Sequence, residues 1–247
     1  MISKIYQNFI LSKPKIILSL LVLIAIFFGY QSKDFRLDAS SETLLIEGDP
    51  DLKYLNEINE KFGAKEFLVL TLTPKEKITS EKTINNILSL KYKIQSLNWV
   101  HNVITIVDIP LLDSSDEPLM DRIKNFRTLK DENIDRDRGF QEILNSPVFR
   151  NFVISEDAKT TGIIVNLKKR EKPQFSAFDN KKEIENYKDS LKKERHQNII
   201  EIREIIKSFE DVGKIHLGGI PMIADDMMTF IKNDIIVFGF GVFLFIV

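Results

Sequence analysis

The sequence predicts an α+β chain in which two membrane helices bracket one extramembrane domain. Three observations carry this. Two uncharged, strongly apolar runs, Ile16 to Tyr30 and Ile235 to Val247, lie near the two ends. The roughly 200 residues between them are mixed and charged, enough for one or two soluble domains. Within that stretch strand-like runs alternate with helical patterns in the order helix, strand-helix-strand, strand-helix-strand. Strand-helix-strand repeated twice is the βαββαβ order of a ferredoxin-like sandwich.

The first run, within a membrane helix assigned to 13–32, is dominated by Ile, Leu, Val and Phe. At about −0.3 to −0.6 kcal/mol for each such residue, its insertion gains about 3–6 kcal/mol. Pro14 suits the first turn of a helix, and Lys13 and Lys15 reach back to the headgroups along their aliphatic stems. A secretory signal peptide shares the lysines and the apolar stretch, but no small-x-small cleavage site follows in Gly29 to Asp34. Lys4, Lys13 and Lys15 precede the helix. That charge places residues 1–12 in the cytoplasm and the middle domain, 33–232, outside it. The second run, 233–247, then returns inward as the start of a second membrane helix that the sequence leaves truncated. Gly239 and Gly241 inside it suit close helix packing rather than phosphate binding.

Asp49 and Pro50 open the middle domain's first helix, with Leu52, Leu55, Ile58 and Phe62 on one face and Gly63 as its stop. Glu66 to Thr73 reads as a strand closed by Pro74. Ser80 caps the next helix, whose apolar face is Ile84, Ile87, Leu90, Ile94 and Leu97. Val100 to Asp108 reads as a second strand. From about 110 to 150 the pattern breaks into a charged insertion containing one helix near Arg136 to Asn145. A third strand, Thr160 to Leu167, is followed by a long helix from about Lys181 to Phe209 and a fourth strand, Gly213 to Gly218. The two helices after strands one and three are expected on one face of a four-stranded sheet. The long helix outruns that sheet, so part of it must touch something else.

Composition narrows the chemistry. Lys and Arg total 35 against 36 Asp and Glu, so there is no basic footprint for nucleic acid. The chain has no cysteine, which excludes disulfides, thiolate nucleophiles and cysteine-held metals. His101, His196 and His216 have no ligand spacing, and Asp113, Asp116, Glu117 and Asp121 lack the glycine turn of a calcium loop. No nucleophile elbow, zinc-protease motif or histidine with an acidic partner pattern appears. The expectation is therefore no enzyme, with no catalytic, cofactor or metal residues.

Three passages bear a resemblance. Phe35 to Leu44 (FRLDASSETL) after the first membrane helix, Asp51 to Gly63 leading into an apolar strand, and Leu217-Gly-Gly-Ile-Pro221 leading through Asp234 into the second apolar run resemble the N-terminal portion of resistance–nodulation–division (RND) transporters, specifically MMPL-like hydrophobe/amphiphile exporters. Each passage is weak alone; their order and spacing over nearly the whole chain carry the likeness. The resemblance implies a multi-pass protein of the bacterial inner membrane and a periplasmic porter domain. It also implies proton-driven export of lipids or other hydrophobic or amphiphilic molecules, and possible homo-oligomers. The implied partners are the bilayer, such molecules, and the remaining transporter helices. Those helices hold the family's proton relay, so the chain alone is expected to be inactive. Gly218, Gly219 and Pro221 become candidates for the connector, or hinge, between sheet and membrane helix. Asp225 and Asp226 are expected to favour the helix dipole. The alternative with the same topology is a two-helix membrane sensor with an extracytoplasmic ligand-binding domain, which would more often carry a single meandering sheet.

Overall fold

A computed structural model describes residues 13–31, 49–62, 66–114, 118–132, 134–169 and 181–246. The 1–12 segment, Phe35 to Leu44, Gly63, Asp116 and Glu117 lie outside these. The chain forms two compact units, Met1–Asp38 and Ala39–Val247.

The first unit is helix α1, Pro14–Gln31. Pro14 stands in the first turn, where a missing N–H costs nothing. The Lys13 carbonyl accepts from the Ile16 and Ile17 amides at 3.1 and 3.2 Å. Its Ile, Leu, Val and Phe side chains are nearly all exposed, and the helix is long and apolar enough to cross a membrane.

The second unit opens with α2, Pro50–Phe62, whose Asp49 carboxylate accepts from the Asp51 amide at 2.8 Å. Then follow β1 (Phe67–Pro74), α3 (Glu81–Gln95), β2 (Val100–Ile104), a 3-10 turn (Ile106–Asp108), α4 (Leu119–Lys124), α5 (Arg136–Asn145), β3 (Thr161–Leu167), α6 (Lys181–Lys207), β4 (Gly213–Gly218) and α7 (Ile220–Ile246). The caps follow local chemistry: the Ser80 hydroxyl accepts from the Thr83 amide, and the Asp135 carboxylate from the Asp137 and Arg138 amides.

The four strands make one antiparallel sheet in the order β2-β3-β1-β4. Strands alternate faces, so register fixes what is buried. Leu68, Leu70 and Leu72 of β1 stand opposite Val165, Ile163 and Thr161 of β3, and Leu70 and Leu72 stand opposite Leu217 and Ile215 of β4. That face buries against Ile84, Ile87, Leu90 and Ile94 of α3 and against Ile199 and Ile202 of α6 in a single core. The other face carries Val69, Thr71, Asn102, Ile164, Asn166 and His216, with an Asn166 to Asn102 side-chain hydrogen bond of 2.8 Å. Trp99, just before β2, donates from its indole N–H to Glu201 of α6 at 2.9 Å.

Two differences from the sequence reading have local causes. The second strand stops at Ile104 rather than Asp108, because the Asp108 carboxylate turns back to accept from the Thr105 amide and hydroxyl, both at 2.9 Å. Lys91 of α3 holds the other Asp108 oxygen at 2.5 Å in a half-buried ion pair. The 110–150 insertion is folded onto the core: Leu111, Leu129, Phe140 and Ile143 are buried, and the unread helix α4 sits within it.

Glu142 ties that insertion down. Its carboxylate accepts from the Leu112 amide at 2.6 Å and from the Ser114 amide and hydroxyl at 2.8 and 2.6 Å. Partial burial pushes its pKa up. The Ser114 hydroxyl and the amides of Asp113, Leu112 and Ser114 outweigh this and hold it below the usual glutamate value. A depressed folded-state pKa contributes stability that is present above the unfolded-state pKa and lost as pH falls through the folded one. Acidification below the ordinary glutamate range should therefore raise amide exchange at Leu112 and Ser114 relative to its intrinsic, pH-dependent rate. In Glu142→Ala that exchange should be fast already at neutral pH; an unchanged rate in the variant would discard this tether.

Candidate functional site at the sheet-to-helix connector

The sheet passes into α7 through two glycines. Gly218 ends β4 opposite Val69, and a Cβ built there would lie 3.7 Å from the Val69 carbonyl oxygen, an ordinary contact. Gly219 is different. Its φ of +118° is a conformation that side-chain-bearing residues avoid, and a Cβ would meet the Phe67 carbonyl oxygen at 2.9 Å and the Leu68 Cα at 3.1 Å. The chain thus turns sharply against the start of the central strand β1. The Gly219 carbonyl then accepts from the Ile223 amide at 3.0 Å and begins the helix. Pro221 is buried in the first turn, where it needs no hydrogen-bond donor.

Beyond the turn, α7 lies against α6. Pro221, Ala224 and Asp225 are buried at spacings that share one side of a helix. The Asp225 carboxylate, 8% exposed, has both oxygens 3.0 Å from His196 Nδ1 on α6. Two turns further along α6, Arg203 donates from one guanidinium nitrogen to both oxygens of Asp226 at 2.8 Å. Arg195, beside His196, lies 3.6 Å from Glu66 at the head of β1. Two of these contacts tie α6 to α7, and the third ties it to the head of β1.

This corrects two expectations. Asp225 and Asp226 lie beyond the first turn of α7, and their carboxylates are committed to α6 rather than to the helix N-terminus. His196 does have an acidic partner, 29 residues downstream, which no local motif could reveal. A histidine held by a buried carboxylate is also the orienting half of a catalytic triad. Among the described residues no hydroxyl is hydrogen-bonded to the His196 ring, and its contact with Asp225 joins α6 to α7. Gly218, Gly219 and Pro221 are brought together at one turn; His101 and His216 stay on exposed strand positions.

The two pairs should differ in worth. Asp226 and Arg203 are both partly exposed, and such pairs contribute about 0–1 kcal/mol. Asp225 is buried, and removing its donor leaves a desolvated carboxylate at a cost of about 1–3 kcal/mol. Thermal unfolding in detergent should thus find His196→Ala more damaging than Arg203→Ala; the reverse order would contradict the burial argument.

From Ile235 onward α7 is uncharged, and its side chains are exposed as far as Phe245. Like α1, it is long and apolar enough to cross a membrane. No family model matches the chain, and no curated protein matches it.

Proposed function

We propose that this chain is the N-terminal part of a proton-driven RND exporter of the MMPL-like type, in the bacterial inner membrane, and that its middle domain handles lipids or other hydrophobic or amphiphilic molecules in the periplasm. The observation that carries the reading is the sheet. In the order β2-β3-β1-β4, β1 and β2 run parallel on either side of β3, while β3 and β4 run parallel on either side of β1. Helix α3 joins the first parallel pair and α6 lies between the second. Two interleaved split βαβ units are the ferredoxin-like arrangement expected of a porter domain. Such a domain inserted between two helices able to cross a membrane supports the exporter over the sensor, for which a meandering sheet was expected.

On this reading α1 and α7 hold the domain in place and the connector passes between sheet and bilayer. Apart from Lys15 in its first turn, the 14–31 helix carries no Asp, Glu, Lys or Arg, and the 235–246 stretch carries none. Proton coupling therefore falls to helices of the remaining transporter.

Two measurements test the proposal. Because the chain has no cysteine, Ser80→Cys and Asp189→Cys give single labelling sites. A membrane-impermeant maleimide should label both in intact spheroplasts; labelling only after lysis would put the domain in the cytoplasm and end the reading. Deleting the gene should raise cellular retention of fluorescent amphiphiles, and unchanged retention would remove the export function while leaving the topology intact.

A further inference from the structure

We infer that the connector is a rigid joint rather than a hinge: the first turns of α7 are clamped to α6, so the domain and the upper part of α7 move as one body. The inference goes beyond the export reading and holds for any function in which α7 enters a membrane.

Four observations converge. A hinge needs backbone free to rotate, but Gly219 is packed against the Phe67 carbonyl and the Leu68 Cα of the central strand, so its one unusual φ is fixed by close contact. Pro221 restricts the next turn by its ring. The helix after them is pinned at two successive residues: Asp225 to His196 and Asp226 to Arg203. The pinning partner, α6, is itself anchored in the core through Ile199 and Ile202, which lie between the two clamp positions. The side chains on the opposite side of α7, Ile223 and Phe230, are 47% and 62% exposed, so its hold on the domain is one-sided. Such a joint transmits a tilt of the helix to the sheet without loss. Any bending would then fall lower in α7, where Gly239 and Gly241 have nothing within 4 Å of a would-be Cβ.

The test uses the full chain in nanodiscs with spin labels at Ile223→Cys on α7 and Lys207→Cys on α6. Pulsed electron resonance should return one narrow distance distribution. A broad distribution in this otherwise native chain would overturn the inference, since the connector would then flex. Arg203→Asp should broaden the distribution by setting two carboxylates against each other. Adding Asp226→Arg to that variant should restore the narrow distribution, because it rebuilds the pair with its charges exchanged. If Arg203→Asp stays narrow, or the exchanged pair stays broad while the fold survives by circular dichroism, the clamp is not what holds the helix.

Discussion

Gly219→Ala should lower the thermal midpoint of the detergent-solubilised chain, and Gly218→Ala should leave it nearly unchanged. The two glycines are adjacent, Gly218 at the end of β4 and Gly219 in the turn after it. Conformation separates them. At φ +118° Gly219 occupies a region where a side chain costs about 1–3 kcal/mol in strain. The added methyl would also stand 2.9 Å from a main-chain oxygen of β1, one of the two strands with neighbours on both sides. Backbone in the middle of a sheet does not retreat as a flexible side chain does. At Gly218 the nearest atom is 3.7 Å away and φ is ordinary. For a chain of this size each kcal/mol moves the midpoint by about 2–4 °C. Trp99 fluorescence reports the transition, since its indole bridges β2 to α6. Equal midpoints for both alanine variants would refute the close approach on which the joint depends.

Val22→Arg should prevent α1 from carrying the domain across the membrane. Val22 lies near the middle of α1, with exposed apolar neighbours on all sides. A valine there gains about 0.3–0.6 kcal/mol on insertion and an arginine loses about 2.5–3.5, a swing of about 3–4 kcal/mol. That swing removes most of the helix's total gain of about 3–6 kcal/mol. An alkaline phosphatase fused after Phe62, active only outside the cytoplasm, should be active with native α1 and nearly inactive with Val22→Arg. An active variant fusion would mean that α1 is not the element that sets the topology.

How much of this was legible depends on the range of each interaction. The caps at Ser80 and Asp135 are satisfied within three residues, so the helices that follow begin where the residues say. Strands β1, β3 and β4 match their apolar alternation to within a residue. The sequence extends β2 past Ile104 because Val103 to Val107 is β-branched throughout. Only the side-chain turn of Asp108, reinforced by Lys91 from another helix, breaks it. In the insertion Phe140 and Ile143 share the helical spacing of the 136–145 helix, whereas Leu111 and Leu129 belong to no periodic run and leave no local signal of burial. The connector glycines were found by type. The partners that make them matter, Phe67 and Leu68, lie about 150 residues upstream and left no local signal.

The sequence by itself determined which stretches are apolar enough for a membrane, where most helices begin, and where three of the four strands lie. Those properties depend on hydrophobic period and on hydrogen bonds between near neighbours. Only the tertiary structure decided the order of strands, the close packing that demands glycine at 219, and the joining of His196 and Arg203 to Asp225 and Asp226. These rest on contacts between residues distant in the chain, where register and helix docking choose the partner and residue type alone does not.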